Sequence, residues 1–147
     1  MKKDNNNKNI LELEECIKTI FGDIHLIKWE QKEHKNDDEA FIYFSFHKSD
    51  NKLFYIGHVE SPDRPTISDR IFKDSIKSGA NRFKTKLAKD YMNNNSSDSE
   101  INAEILKNLD IYYIKILKPK DNYNSLAKYK YQLKKSIKEK RTIENSL

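Results

Sequence analysis

Two tyrosines and an arginine are the residues of this chain best suited to chemistry. Tyr43 lies in the run Ala40-Phe41-Ile42-Tyr43, Tyr55 in Phe54-Tyr55-Ile56-Gly57, and Arg70 in the segment that follows. A phenol beside a cation can have its pKa lowered and help move a proton from water. An arginine can hold a phosphate with two donors at once. Lys73 and Lys77, at i+3 and i+7 from Arg70, share its face on a helix. A plainer reading stands beside this one. Tyrosines are good strand formers whose hydroxyl tips stay wet, and an arginine can simply be a surface charge.

Other chemistries find little support. The histidines are His25, His34, His47 and His58, and no two have the i, i+4 spacing of a helical zinc pair. Three glycines leave no room for a Gly-rich phosphate loop. Cys16 is the only cysteine, so it forms no internal disulfide and no Cys-pair metal site. It fits a reducing cytoplasm and reads as inert packing. Asp37-Asp38-Glu39 reads as a solvated loop, so the residues alone assign no metal ligand.

Charge points to a partner. Residues 1–69 carry 10 Lys/Arg against 14 Asp/Glu, a net of −4, and residues 70–147 carry 18 against 9, a net of +9. A basic half suggests a polyanion, most simply nucleic acid, with DNA placed before RNA. The alternative is a Lys-rich solvated surface. No stretch approaches the roughly 18–20 apolar residues of a membrane span, so no membrane partner is expected. The polar start, Met1 to Asn7, has no apolar core of a signal peptide.

These residues need elements to position them. Ile10, Leu13, Ile17 and Ile20/Phe21 have helical spacing, and Gly22-Asp23 stops that helix. Ile24 to Glu30 reads as a short strand. Ala40–His47 and Leu53–Glu60 read as a β-hairpin around the polar turn 48–52. Pro62 and Pro65 break the second arm. Thr66 or Ser68 caps a helix running to about Ser78, with Ile67 and Ile71 inward. A second helix covers about Asn81–Met92, with Phe83, Leu87 and Tyr91 inward. Residues 101–109 read equally as helix or strand. Asp110–Leu117 is a strand, and Ser125 opens a last helix with Leu126, Tyr129, Leu133 and Ile137 inward. The expected class is α/β (α+β). It comprises a small three-stranded antiparallel sheet flanked by helices, a ββααβα core behind an N-terminal helix and strand. One domain over 10–147 is expected, behind a flexible tail at 1–9.

The order and contents of residues 40–138 resemble the GIY-YIG nuclease domain. Ala40-Phe41-Ile42-Tyr43, then Phe54-Tyr55-Ile56-Gly57, then a helix with Arg70, carry the resemblance. Asn81-Arg82-Phe83-Lys84-Thr85-Lys86-Leu87 looks like that family's second helix. The resemblance implies that Tyr43 helps activate the attacking water, that Tyr55 sits beside it, and that Arg70 holds the scissile phosphate. It also implies one divalent ion, magnesium or manganese, on a glutamate of the last helix. Phe41 replaces the first glycine of the motif. Arg70 lies 13 residues past Gly57, with Arg64 as a rival. Where the family has its glutamate, this chain has Lys130 or a neighbour, and Glu139 and Glu144 come later.

Two functions follow as expectations. One is a DNA endonuclease of phage or restriction type, with Tyr43, Tyr55 and Arg70 catalytic and with Lys73, Lys77, Arg82, Lys84, Lys86 and Lys130 binding nucleic acid. The other is a non-cleaving relative that binds nucleic acid, with Tyr91, Tyr129 and Tyr131 as stacking surfaces. A protein partner, as for a phage-encoded inhibitor, is a variant of that second expectation.

Overall fold

The computed structural model describes residues 2–30, 39–59, 66–72, 81–117 and 125–146. The expected continuation of the Arg70 helix to Ser78, with Lys73 and Lys77, lies outside the described residues, as does Arg64. The chain divides into two compact units, Ile27–Lys118 and the pair of segments Met1–Leu26 and Pro119–Leu147.

The first unit holds a four-stranded antiparallel sheet. Its strands are β1 (Ile27–Lys28), β2 (Glu39–His47), β3 (Leu53–Val59) and β4 (Leu109–Leu117), in the order β1-β4-β2-β3. The expected three strands therefore become four, because β1 pairs with β4 through Ile27↔Tyr113 and Lys28↔Tyr112. That strand is shorter than Ile24–Glu30. β2 is central, paired along its length with β3 on one side and β4 on the other. It is buried on both faces, with Phe41 and Tyr43 on one and Ala40, Ile42 and Phe44 on the other. That double burial explains its nearly unbroken apolar run.

Three helices complete this unit: α2 (Ile67–Phe72), α3 (Arg82–Tyr91) and α4 (Asp98–Asn108). Phe41, Tyr43, Val59 and Ile111 of the sheet share one core with Ile67 and Ile71 of α2, Phe83 and Leu87 of α3, and Ile101 and Ile105 of α4. Burying an aliphatic side chain of this kind stabilises by about 1.5–3 kcal/mol. The undecided segment around 101–109 is helix as far as Asn108. Its start is written in Ser97-Asp98-Ser99-Glu100, where the Ser97 hydroxyl accepts from the Glu100 amide and the Glu100 carboxylate accepts from the Ser97 amide. This is a capping box.

The second unit pairs α1 (Lys2–Phe21) with α5 (Ser125–Ser146). The α1 helix begins at Lys2, so the segment expected as a flexible tail is helical in its backbone. It ends at Gly22, whose φ of +82° is the left-handed conformation that glycine adopts without strain, with its N–H on the Lys18 carbonyl. Leu13 and Ile17 of α1 and Leu126, Leu133 and Ile137 of α5 are buried, as their spacing predicts, while Ile10, Ile20 and Phe21 are half-buried and Cys16 joins the buried face. Tyr129 packs on Phe21 at 4.8 Å between ring centroids.

Candidate functional site

Strand register brings the two tyrosines together. Tyr43 on β2 is the direct partner of Gly57 on β3, and Ser45 is the partner of Tyr55. The rings of Tyr43 and Tyr55 lie 6.1 Å apart. Gly57 is required here: a Cβ at that position would overlap the Cζ and hydroxyl of Tyr43. The Tyr43 ring therefore fills the space that a side chain at 57 would need, which gives the Tyr-Ile-Gly run a packing reason. The register then shifts, so that Phe46 pairs with Leu53. This is a bulge in β3, and both Phe54 and Tyr55 reach Phe83 of α3, at 5.8 and 5.3 Å. Phe83 also meets Tyr43 edge-on at 6.2 Å.

Arg70 is presented by α2, a short helix that is tied at both ends. At its start, the Thr66 hydroxyl accepts from the Asp69 amide and the Asp69 carboxylate accepts from the Thr66 amide. This confirms Thr66 as the cap. At its end, the Asn81 side-chain amide donates to the Ile71 carbonyl and the Lys84 ammonium donates to the Phe72 carbonyl. These bonds satisfy carbonyls that a helix end leaves orphaned. Lys84 also pairs with Asp98 at 3.0 Å, and Asn81 caps α3 through the Lys84 amide. Arg70 is half-buried, and its Nε is fully buried with no hydrogen-bond partner among the described residues.

The electrostatics of the tyrosines run against the expectation. Burial pushes the Tyr43 phenol far above its ordinary value, the Tyr55 charge adds to the rise, and Arg70 only partly opposes it. Burial likewise raises Tyr55, with Arg70 and then Arg82 pulling the other way. Desolvation wins because a phenolate would have to leave water for an aromatic pocket. Both phenols are neutral at neutral pH. They can donate a hydrogen bond to an oxyanion, but they are poor proton acceptors. Both guanidinia act electrostatically on the Tyr55 hydroxyl, and Arg82 is exposed.

No family model, curated protein or solved structure matches the chain.

The divalent ion implied by the resemblance does not fit the described residues. The wall offers phenols and guanidinia, and cations repel a divalent ion. The nearby carboxylates are engaged elsewhere: Asp69 in the α2 cap, Asp98 on Lys84, Asp90 on Lys86, Asp50 on Tyr91 and Glu104 on His47. Among the described residues, no group of three or more His, Cys, Asp or Glu is placed to hold a metal.

The expected nucleic-acid contacts separate. Arg82 is exposed beside the wall. Lys84 is only 1 % exposed and braces α2 against α4, so it is an interior structural cation and not a phosphate contact. Lys86 is exposed but pairs with Asp90 at 2.6 Å. Lys130 belongs to the other unit and is half-buried.

Sequence reading missed a second polar cluster at the end of the hairpin. The buried His47 ring stacks on Tyr91 at 4.0 Å and 6°. Its Nδ1 accepts from the Ser49 amide, so Nε2 carries the proton and donates to Glu104 at 2.9 Å. Glu104 also accepts from Asn108, and Tyr91 donates to Asp50. Partial burial raises the Glu104 pKa, but the hydrogen bonds from His47 and Asn108 outweigh it and hold the carboxyl below its ordinary range. Tyr91, raised by burial and by Asp50, stays a phenol. His47 and Glu104 are 57 residues apart, and no local pattern signals the pair.

Proposed function

We propose that this chain is a GIY-YIG-like nucleic-acid-binding protein that holds a phosphodiester at the wall of Tyr55, Arg70 and Arg82. The carrying observation is Arg70, a cation with a buried, unpartnered Nε beside two neutral phenols. A buried donor left unpaired costs about 1–3 kcal/mol. Arg70 as a whole is only half-buried, so a phosphate would meet the accessible part of the guanidinium, in the two-point geometry that arginine favours. The Tyr55 hydroxyl would donate to a second oxygen, and the exposed Arg82 would guide the backbone in. The net charge of +9 over residues 70–147 supports a polyanion.

Hydrolysis of the bound phosphodiester, the endonuclease activity implied by the resemblance, is a second reading. The packing of Tyr43 on Gly57 favours it, because it places a hydroxyl-bearing ring next to Tyr55. In that reading Tyr43 orients the attacking water, and its raised pKa assigns removal of the proton to another group.

Fluorescence anisotropy with labelled DNA and RNA, single-stranded and duplex, tests both. Affinity should fall steeply between about 50 and 200 mM salt. Arg70→Ala should weaken binding about tenfold, as expected for a lost charge-assisted contact. Absent or salt-insensitive binding would defeat the proposal and point to a protein partner. The same oligonucleotides incubated with magnesium or manganese test cleavage, which Tyr55→Phe and Arg70→Ala should each abolish. Intact substrate with both ions would end the endonuclease reading and leave the binder.

A further inference from the structure

Three tyrosines were candidates for stacking on bases, and the structure separates them. Tyr91 is stacked on His47 and bonded to Asp50. Tyr129 is packed on Phe21. Tyr131 is 68 % exposed, on the outer face of α5. It borders a shallow depression of about 530 Å³, together with Ala127, Lys128, Gln132 and Lys135. Lys128 and Lys135 flank the ring one turn to either side, about 10 Å apart along the axis by helix rise. Lys134 and Lys138 are exposed on the same helix. The α5 segment carries seven Lys/Arg against two Glu, a net of +5.

We propose that this face of α5 is a contact for single-stranded nucleic acid, with a base stacked on Tyr131 and backbone phosphates on Lys128 and Lys135. A flat aromatic ring between cations matches an unpaired strand, which presents a base face and a phosphate on either side of it. A lipid surface fits less well. Leu126, Leu133 and Ile137 are buried, so over 126–139, where the side chains are described, the outer face has no aliphatic stripe to insert. A duplex fits less well too, because its base faces are already stacked. The inference rests on the reading of the chain as a nucleic-acid binder, but it uses a different unit and different residues from the tyrosine–arginine wall.

The test uses the full chain and a short fluorescent single-stranded DNA, with the matching duplex and anionic phosphatidylserine vesicles as parallel arms. Tyr131 is exposed, so Tyr131→Ala should leave the circular dichroism spectrum and the urea midpoint unchanged. It should weaken single-strand binding about tenfold, the scale of one lost stacking contact, and leave duplex binding within about twofold. Lys128→Ala with Lys135→Ala should flatten the log–log salt slope by about 1.4, from roughly 0.7 per single-strand phosphate contact. In Tyr131→Trp, the added indole emission should be quenched on binding. Unchanged single-strand affinity in Tyr131→Ala overturns the inference, as does an equal loss on the duplex. A Tyr131-dependent affinity for vesicles without one for DNA overturns it in favour of a membrane. Arg70→Ala keeps the two proposals apart. If only that variant loses affinity, the wall stands and the α5 contact falls. If only Tyr131→Ala does, the α5 contact stands and the wall falls.

Discussion

The tyrosine–arginine wall and the His47 cluster lie on the same sheet and treat polar groups in opposite ways. Around His47, both ring nitrogens, both Glu104 oxygens and the Tyr91 hydroxyl have partners. Around Arg70, a buried guanidinium nitrogen has none among the described residues, and the neighbouring phenols pack among the rings and aliphatic side chains of the core. A satisfied network stabilises the fold and is finished when folding ends. An unsatisfied one costs stability and keeps its donors for a ligand. The first is architecture, and the second is a candidate site.

That comparison can be broken by mutation. His47→Ala removes a stacked ring and leaves Glu104 without its donor. It should destabilise by about 3 kcal/mol in urea unfolding, from the lost stacking and a lost charged hydrogen bond together. It should leave oligonucleotide affinity unchanged while the protein is folded. Lost affinity with unchanged stability would reverse the roles of the two regions.

Gly57→Ala comes next. The added methyl must displace the Tyr43 ring, so a cost of about 2 kcal/mol is expected from overpacking. Because the wall itself moves, affinity should fall along with stability.

Arg70→Met sharpens the contrast most, although its effect on stability is small. Methionine keeps much of the packing volume and removes the unpartnered donor. Stability should stay within about 1 kcal/mol or rise, as is common when a functional strain is relieved. Phosphodiester affinity should drop about tenfold, one charged contact's worth. A destabilisation as large as that of His47→Ala would falsify the view of Arg70 as held in reserve.

The smallest effect is in pH dependence. The Glu104 pKa is depressed in the folded state, so its contribution is present above the unfolded value of 4.5 and is lost as pH falls through the folded one. Stability plotted against pH should therefore decline on acidification below about 4.5, because the unfolded chain binds the proton more readily. In Glu104→Gln that part of the slope should vanish, leaving a curve that is lower above pH 4.5 and flatter below it.

Much of this architecture was legible in the residues. The apolar runs of β2 and β4, the polar turn between β2 and β3, and the spacing of Phe83, Leu87 and Tyr91 on α3 all followed period rules, and the structure follows them too. The α4 helix was legible but unread, since Ser97-Asp98-Ser99-Glu100 is a start signal. The two-residue β1 was over-read because Ile24–Glu30 has strand-like residues, and only pairing with β4 decides how many are used. The position of Lys84 was beyond local rules. A lysine in a basic, amphipathic helix looks solvated until Asp98 and the Phe72 carbonyl arrive from either side.

The residue types determined that Tyr43 and Tyr55 lie on adjacent arms of one hairpin, but Tyr43 falls opposite Gly57 only because β3 bulges between the Phe46↔Leu53 and Ser45↔Tyr55 pairs. They also determined that residues 70–147 carry a net charge of +9. Only the tertiary structure decided the state of the site. The burial that stacks Tyr43, Tyr55 and Phe83 also raises the tyrosine pKa values, overriding the arginines whose presence in the sequence suggested the opposite. Charge can be counted along a chain. Desolvation depends on what the other elements cover, and that exists only once they have packed.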